Sequence, residues 1–423
     1  MVAIYRYLTF FLFPLFIILI YLRSIFNKEH QSRYKEKIFS SSFNVVRNYK
    51  KKLFWFHATS IGELLSILPL IDEINNINNN IEFLITTTTL SSSNLLEKKK
   101  IEYNIIHRFF PLDTERLSGS FLEKWKPDLV CFVDSEIWPN FLFKIKEKKI
   151  PLVLINGRIT KKTFKKWILL GNFAKKVFNN FDLCLACSEE SKNNLEKIEV
   201  KNLSYIGNLK FAVKIRREKI DKLNKKILEN FKPWCAASTH QGEEFILLET
   251  HNEIKKKHNN VLTIIIPRHI NRIKKIKKLT ENFKLRSQIL DDGDLINTSI
   301  EVLIINSFGV LNKYFDCCKN VFIGKSLVKK LEKSGGQNPI EAAKIGCKIY
   351  YGPYVYNFDE VYNFLKINNI SEQINNEYDL SKKIIENFDN TKIINEQNIS
   401  MLNNHGTRIL KQTISELNKL IKI

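Results

Sequence analysis

The feature that most limits what this chain can fold into is a series of short, uninterrupted apolar runs, each followed by a helical pattern, from residue 53 almost to the end. In the first half the runs fall at 53–57, 81–86, 129–134, 151–156 and 182–187, and in the second at 234–237, 262–266, 302–306, 320–323 and 347–351. Apolar residues at consecutive positions, rather than at alternate ones, mark strands covered on both faces. Alternated with helices, such strands build parallel sheets from βα units. The pattern predicts an α/β chain of two Rossmann-like halves, and 423 residues suit two ordinary cores. The charged, repetitive stretch 214–226 marks a join within 207–233. The last segment, 379–423, reads as helices packing back toward that join.

A second constraint lies at the N-terminus, where residues 7–22 are apolar except for Thr9 and Pro14 and are followed by Arg23, Lys28, Arg33, Lys35 and Lys37. The run is slightly shorter than the ~20 residues of a comfortable membrane span, and a secretory signal is its rival. No small-residue cleavage site follows Leu22, and the basic flank comes after the apolar run, which holds the following chain in the cytoplasm by the positive-inside rule. The expected body is therefore cytoplasmic, on a single N-terminal anchor that spans or lies in the interface. Lys and Arg number 67 against 44 Asp and Glu, a formal charge of +23. The lysines are spread through Lys/Asn/Ile-rich surface tracts rather than gathered in one stripe, and no nucleic-acid-binding motif accompanies them. Seven scattered cysteines, mostly inside apolar runs, suit buried thiols in a reducing compartment. Cys184 and Cys187 lie on a buried strand with no second pair at zinc spacing, and Cys317 and Cys318 form no metal set either, so no metal or cofactor is expected.

The residues that follow each strand carry the functional signal. His57 leads to Ser60, Ile61, Gly62 and Glu63; Asp134, Asn156 and Arg158 close the third and fourth runs; Ser238, Thr239 and His240, then Pro267, Arg268 and His269, then Gly324, Lys325 and Ser326 occupy the same places in the second half. Ligands of open α/β sheets bind beyond the carboxyl ends of the strands, so these groups point to a shared site in a cleft between the halves. Glu63 sits in the first turn of an apolar helix, where an ionised carboxylate can take a proton from an attacking hydroxyl. The same spacing also makes Ser60 and Glu63 a capping box, and both readings remain open. Gly335 and Gly336 lead to Gln337, Asn338, Pro339, Ile340 and Glu341, with Asn338 placed to cap a helix, Pro339 at its first position and Glu341 at its third. Such a terminus offers N–H groups to a phosphate, and the missing Gly-Lys-Ser/Thr argues for a sugar nucleotide rather than a Walker A ligand. Arg268 and His269 are placed to clamp a phosphate, and Lys210 to reach an anionic group.

These segments, in this order, resemble the 3-deoxy-D-manno-octulosonic acid (Kdo) transferases. The resemblance runs through nearly the whole chain: the apolar anchor, the His57–Glu63 segment, Asp134-Ser135-Glu136-Ile137-Trp138-Pro139-Asn140, the stretch ending in Asn156-Gly157-Arg158, and Gly207-Asn208-Leu209-Lys210. It continues through Ser238-Thr239-His240-Gln241-Gly242-Glu243-Glu244, Pro267-Arg268-His269, Gly324-Lys325-Ser326, the 335–341 turn and Gly352-Pro353. It implies a GT-B glycosyltransferase fold with the N-terminal membrane anchor and its basic flank in 1–40, an acceptor domain in 41–212, and a CMP-Kdo donor domain with C-terminal helices in 213–423. It further implies inverting, metal-independent transfer of Kdo to the lipid A precursor (lipid IVA) of lipopolysaccharide at the cytoplasmic face of the inner membrane. On that likeness Glu63 is the general base, Lys210 stabilises developing charge, and Asp134 stands where the family has Glu. CMP is held by Pro267 and Arg268, by Phe308, Gly309 and Val310, and by Asn338, Pro339, Ile340 and Glu341. Three departures alter the donor pocket: Val310 replaces a Glu, Gln337 a His, and Lys325 a Gly. The basic anchor region suits a phosphorylated glycolipid acceptor. The rival expectations are another GT-B envelope enzyme with a UDP-sugar donor, and a basic, non-enzymatic membrane-surface protein.

Overall fold

A computed structural model describes residues 1–99, 105–215, 217–389 and 396–423. They divide into two compact units, Met1–Val213 with His405–Ile423, and Lys214–Asn404. Each unit holds a parallel seven-stranded sheet. In the first unit the strands are β1 (Lys52–His57), β2 (Ile81–Thr87), β3 (Ile105–Phe109), β4 (Leu129–Val133), β5 (Leu152–Gly157), β6 (Leu183–Ala186) and β7 (Leu203–Tyr205), in the order β3-β2-β1-β4-β5-β6-β7. In the second they are β8 (Lys232–Thr239), β9 (Val261–Pro267), β10 (Ser287–Leu290), β11 (Val302–Ile305), β12 (Asn320–Ile323), β13 (Lys348–Tyr351) and β14 (Ser371–Gln373), in the order β10-β11-β9-β8-β12-β13-β14. All ten expected strands form, within about two residues of the expected ends, as is usual at element boundaries.

Four strands had no counterpart in the sequence reading, and β3, β7, β10 and β14 are the four sheet edges. Their physical character explains the omission. The central β4 is buried at every position, whereas β3 alternates buried and half-buried and β7 has no buried residue. Strands with one open side need no continuous apolar run.

The first core is aromatic. Trp55 on β1 lies among Phe110, Phe121, Phe132 and Phe141, with ring centroids 4.8–6.2 Å away. Each such pair adds roughly 0.5–1.5 kcal/mol beyond its buried area. The thiols of Cys131, Cys184, Cys187, Cys235, Cys318 and Cys347 are buried as expected, and burial pushes that of Cys187 up to about 11.

Two expectations are corrected. The first concerns the C-terminal segment, which is helical at Glu377–Asp389 and Glu396–Leu420, with 390–395 outside the described residues. Its last part, His405–Ile423, belongs to the first unit and not, as 213–423 implied, to the second. Gly406 makes this possible: a Cβ there would meet the Phe211 carbonyl oxygen at 2.0 Å, so only glycine lets the helix come so close. The second concerns the helix after the glycine turn, which runs Ile340–Ile345 and leaves Pro339 as the residue just before it. Asn338 therefore stands one residue before the cap position expected for it, with its Oδ1 accepting from the Ile340 N–H at 3.1 Å. At the N-terminus, α1 (Val2–Ile25) extends past both ends of the apolar run.

Candidate active site

The first strand of each sheet lies where the order reverses: β1 pairs with β2 and β4, and β8 with β9 and β12. Loops leaving such a switch point on the carboxyl side are the usual ligand sites of open α/β sheets.

In the first unit the loop after β1 runs through Thr59 and Ser60 into α2 (Ile61–Ile77). Ser60 and Glu63 form the capping box: Ser60 Oγ accepts from the Glu63 N–H at 3.3 Å, and Glu63 Oε2 accepts from the Thr59 and Ser60 N–H groups at 2.7 and 3.4 Å. Ser60 Oγ also donates to Glu63 Oε1 at 2.8 Å. The cap fixes the carboxylate without removing it from chemistry, because Glu63 is only half-buried. Burial, and then the charges of Asp134 and Glu136, push its pKa above the usual carboxylate range, against the hydrogen bonds from Ser60 and Thr59.

Asp134 follows β4 in the left-handed region, φ 57°, and Asn156 near the end of β5 shares that conformation, φ 54°. These are uncommon for residues with a Cβ, and they turn both side chains into one buried network. Asn156 Nδ2 donates to Asp134 Oδ1, while Asn156 Oδ1 accepts from the Leu209 N–H at 2.8 Å. Lys210 Nζ, on the short turn Leu209–Ala212, donates to Asp134 Oδ2 at 2.9 Å. Asp134 and Lys210 are 6% and 9% exposed, so the pair is held in a low-dielectric setting. The structure thus brings Glu63, Asp134 and Lys210 to one end of the first sheet.

His57 and Glu136 are the residues that sequence reasoning left without a role. The fully buried His57 ring stacks on Phe110 at 3.8 Å, its Nδ1 lies 3.0 Å from Thr86 Oγ1, and its Nε2 lies 3.3 Å from Glu136 Oε2. Trp138 Nε1 donates to the same carboxylate at 2.8 Å. Burial would raise the Glu136 pKa, but His57 and Trp138 outweigh it and hold Glu136 below the usual value. The available signal was the position of His57 as the last residue of an apolar run.

In the second unit Pro267 and Arg268 close β9, Phe308, Gly309 and Val310 follow β11, Asn338 and Pro339 end the long loop after β12, and Ile340 and Glu341 begin the helix Ile340–Ile345. Strands β11, β9, β8 and β12 are consecutive and parallel, so these loops leave one edge of the sheet. Arg268 and Phe308 are exposed, whereas Val310 is buried against the fold. Burial pushes the Glu341 carboxyl up. The loops are clamped by backbone: the Gly336 N–H donates to the Lys325 carbonyl at 2.7 Å, and a Cβ on Gly335 would sit 1.9 Å from the Tyr354 carbonyl oxygen.

Glu243, fully buried at the start of the helix Glu243–Lys255, joins these loops. Its carboxylate accepts from the N–H groups of His240 (2.8 Å), Lys325 (2.8 Å), Ser326 (2.8 Å) and Leu327 (3.1 Å). Next to it, Glu244 accepts a bidentate pair from Arg272, both at 2.7 Å, and a hydrogen bond from Thr239 Oγ1. Sequence reasoning did not identify this scaffold. Among the described residues no group of three or more His, Cys, Asp or Glu side chains is arranged to hold a metal ion.

Comparison with known proteins agrees with this architecture. The family model described as 3-Deoxy-D-manno-octulosonic-acid transferase (kdotransferase) matches residues 32–213. The chain is 31% identical to the 3-deoxy-D-manno-octulosonic acid transferase of Rickettsia bellii, over 84% of this chain and 82% of that protein. It is 28% identical to the enzyme of the same name from Rickettsia prowazekii, over 100% and 97%. Among solved structures, a glycosyltransferase from Rickettsia africae superposes with a TM-score of 0.57 at 13% identity, covering 88% of this chain and 100% of that one, which places the fold in the GT-B class.

Proposed function

We infer the function from one premise: the chain belongs to the 3-deoxy-D-manno-octulosonic acid transferase family and is a glycosyltransferase. It transfers Kdo from CMP-Kdo to a hydroxyl of the phosphorylated lipid A precursor, lipid IVA, at the cytoplasmic face of the inner membrane. In the transfer the acceptor oxygen bonds to the anomeric carbon of Kdo as the bond from that carbon to the CMP phosphate oxygen breaks. Attack from the opposite face inverts the configuration, and the hydroxyl proton passes to Glu63. The observation that carries this reading is the Glu63 carboxylate itself, fixed by its cap, half-exposed and raised in pKa by burial and two neighbouring acids. A raised pKa strengthens the carboxylate as a base.

Lys210, anchored on Asp134, supplies positive charge next to the reacting groups, where it stabilises charge that develops during attack. Asp134, one methylene shorter than the Glu expected by resemblance, is brought within reach of Lys210 by its left-handed backbone. The second unit holds the nucleotide: Arg268 meets the phosphate, Phe308, Gly309 and Val310 line one side, and Asn338, Pro339, Ile340 and Glu341 offer the capped helix terminus and its polar groups to CMP. With Val310 in place of an acidic residue, backbone N–H groups of that loop take the contact the carboxylate would make.

The test is transfer of Kdo from CMP-Kdo, generated in situ, to a tetra-acylated lipid A precursor in detergent, beside thermal stabilisation by CMP and by UDP. Transfer together with stabilisation by CMP alone is the expected result. Stabilisation by UDP and not CMP would replace the donor with a UDP-sugar and end the Kdo reading.

A further inference from the structure

The helix α1 is apolar and long enough to cross a bilayer, but its contacts describe a different arrangement. One face is docked on the first unit. Tyr5 Oη donates to Asp113 Oδ2 at 2.8 Å, the Arg6 guanidinium reaches Glu115 at 3.0 Å and Glu147 at 2.9 Å, and Thr9 Oγ1 accepts from Asn140 Nδ2 at 3.2 Å. Val2, Tyr5 and Phe13 pack against the aromatic core. Asp113 is built into the fold as well, accepting from the N–H groups of Asn140 and Phe141 at 3.2 and 3.0 Å. The opposite face is bare. Ile4, Leu8, Phe11, Leu15, Ile18 and Leu22, alternately four and three residues apart, form one stripe whose members are 44–73% exposed.

These contacts and a transmembrane course exclude each other. With Arg23 and Lys28 held at the cytoplasmic surface, a spanning helix would carry Tyr5 and Arg6 about 27 Å deeper, close to the far side of a hydrocarbon layer ~30 Å thick. Asp113, Glu115 and Glu147 sit in the catalytic body and cannot follow. Arg6 would then give up two carboxylates and gain none.

Beside α1 lies a second exposed apolar feature. Tyr5 faces Phe173 with ring centroids 6.1 Å apart, and the chain just before Phe173 leaves Ile168, the last residue of a helix, and Leu169 46% and 85% exposed. Lys161, Lys165 and Lys166, on the preceding helix Lys161–Ile168, are exposed too, while Phe164 and Trp167 of that helix pack on the same core as Val2 and Tyr5.

We propose that α1 does not cross the membrane but lies along its cytoplasmic surface, with the Ile4–Leu22 stripe in the acyl boundary and the helix Lys161–Ile168 with Leu169 as a second foot on anionic lipid. Apolar side chains rimmed by lysines are the chemistry of an anionic bilayer surface rather than of a protein groove. The proposal deepens the membrane reading given above and rests on it. Its consequence is that the loop carrying Glu63 belongs to a body tied flat to the surface in which a glycolipid acceptor sits.

The test uses the full chain carrying Ala3→Cys, at an exposed position, and a membrane-impermeant maleimide on intact and on permeabilised cells, with parallel flotation on vesicles. The partly exposed Cys317 serves as the cytoplasmic control. The expected result is a membrane-bound protein whose introduced thiol is labelled only after permeabilisation. Labelling of that thiol in intact cells would mean that α1 spans, overturning this proposal and leaving the membrane reading intact. A protein that self-associates in buffer and binds no vesicle would overturn both. The variant Lys161→Glu, Lys165→Glu, Lys166→Glu with Leu169→Ser should bind phosphatidylethanolamine/phosphatidylglycerol vesicles at least about tenfold more weakly, with little change on phosphatidylcholine. Unchanged binding of that variant would remove the second foot.

Discussion

Glu63 and Glu243 occupy the same topological place, the first turn of the helix that leaves the switch-point strand of each sheet, yet they are used in opposite ways. Glu63 caps its own helix and stays half-exposed beside Asp134 and Glu136, and burial together with these acidic neighbours raises its proton affinity. Glu243 is fully buried and spends its oxygens on four backbone N–H groups from two loops. On the proposed function, one fold position serves in one unit as the base and in the other as a fastener. The surroundings differ accordingly: Asp134 and Lys210 form an ion pair close to Glu63, whereas Glu243 is enclosed by backbone amides.

The comparison would break first at Glu63. Glu63→Gln keeps the cap and the volume but removes the proposed base, so kcat for Kdo transfer should fall by about 10²–10⁴ with the melting temperature and CMP affinity nearly unchanged. The mirror substitution, Glu243→Gln, leaves one acceptor oxygen and an amide group facing buried N–H donors. It should cost about 3 kcal/mol in denaturant unfolding and weaken CMP binding along with stability. A Glu243→Gln enzyme of normal stability but dead chemistry would reverse the two roles.

A finer test concerns Asp134. Its charge is among the groups that raise Glu63, so Asp134→Asn should move the acid limb of the pH–rate profile to lower pH while also lowering the maximal rate through Lys210. An acid limb that stays in place would detach Asp134 from the base.

The smallest effect belongs to the second unit, where titration should touch stability and not catalysis. His251 is buried with Nδ1 2.9 Å from Thr263 Oγ1, and burial lowers its pKa from 6.5 to about 4. The unfolded chain therefore binds the proton first, and the stabilisation, complete above pH 6.5, is lost as pH falls toward about 4. His251→Gln should flatten the melting temperature over that window.

What the sequence made legible follows the same physics. Buried central strands leave an unbroken apolar signature, so all ten were readable, whereas β3, β7, β10 and β14 need only one covered side and left none. Glu63 was readable because a first-turn carboxylate after a strand is a local pattern, and the ambiguity between base and capping box was real: the structure contains the box. The Glu136–His57 contact and the Asn156 bridge were not readable, because each joins residues brought together only when neighbouring strands pair. The fastening role of Glu243 was hidden for the same reason, since its partners at 325–327 lie on another strand's loop. The position of His405–Ile423 depended on a single small residue, Gly406, whose absent side chain matters only against Phe211.

The most direct test of the central claim is the pH dependence of kcat for Kdo transfer, at saturating donor and acceptor, in wild type and Glu63→Gln. The account predicts a wild-type acid limb above the ordinary carboxylate range of about 4.3, and a slower Glu63→Gln enzyme whose profile has lost that limb. A Glu63→Gln enzyme that keeps the same limb would contradict it, because the titrating base would then be another residue.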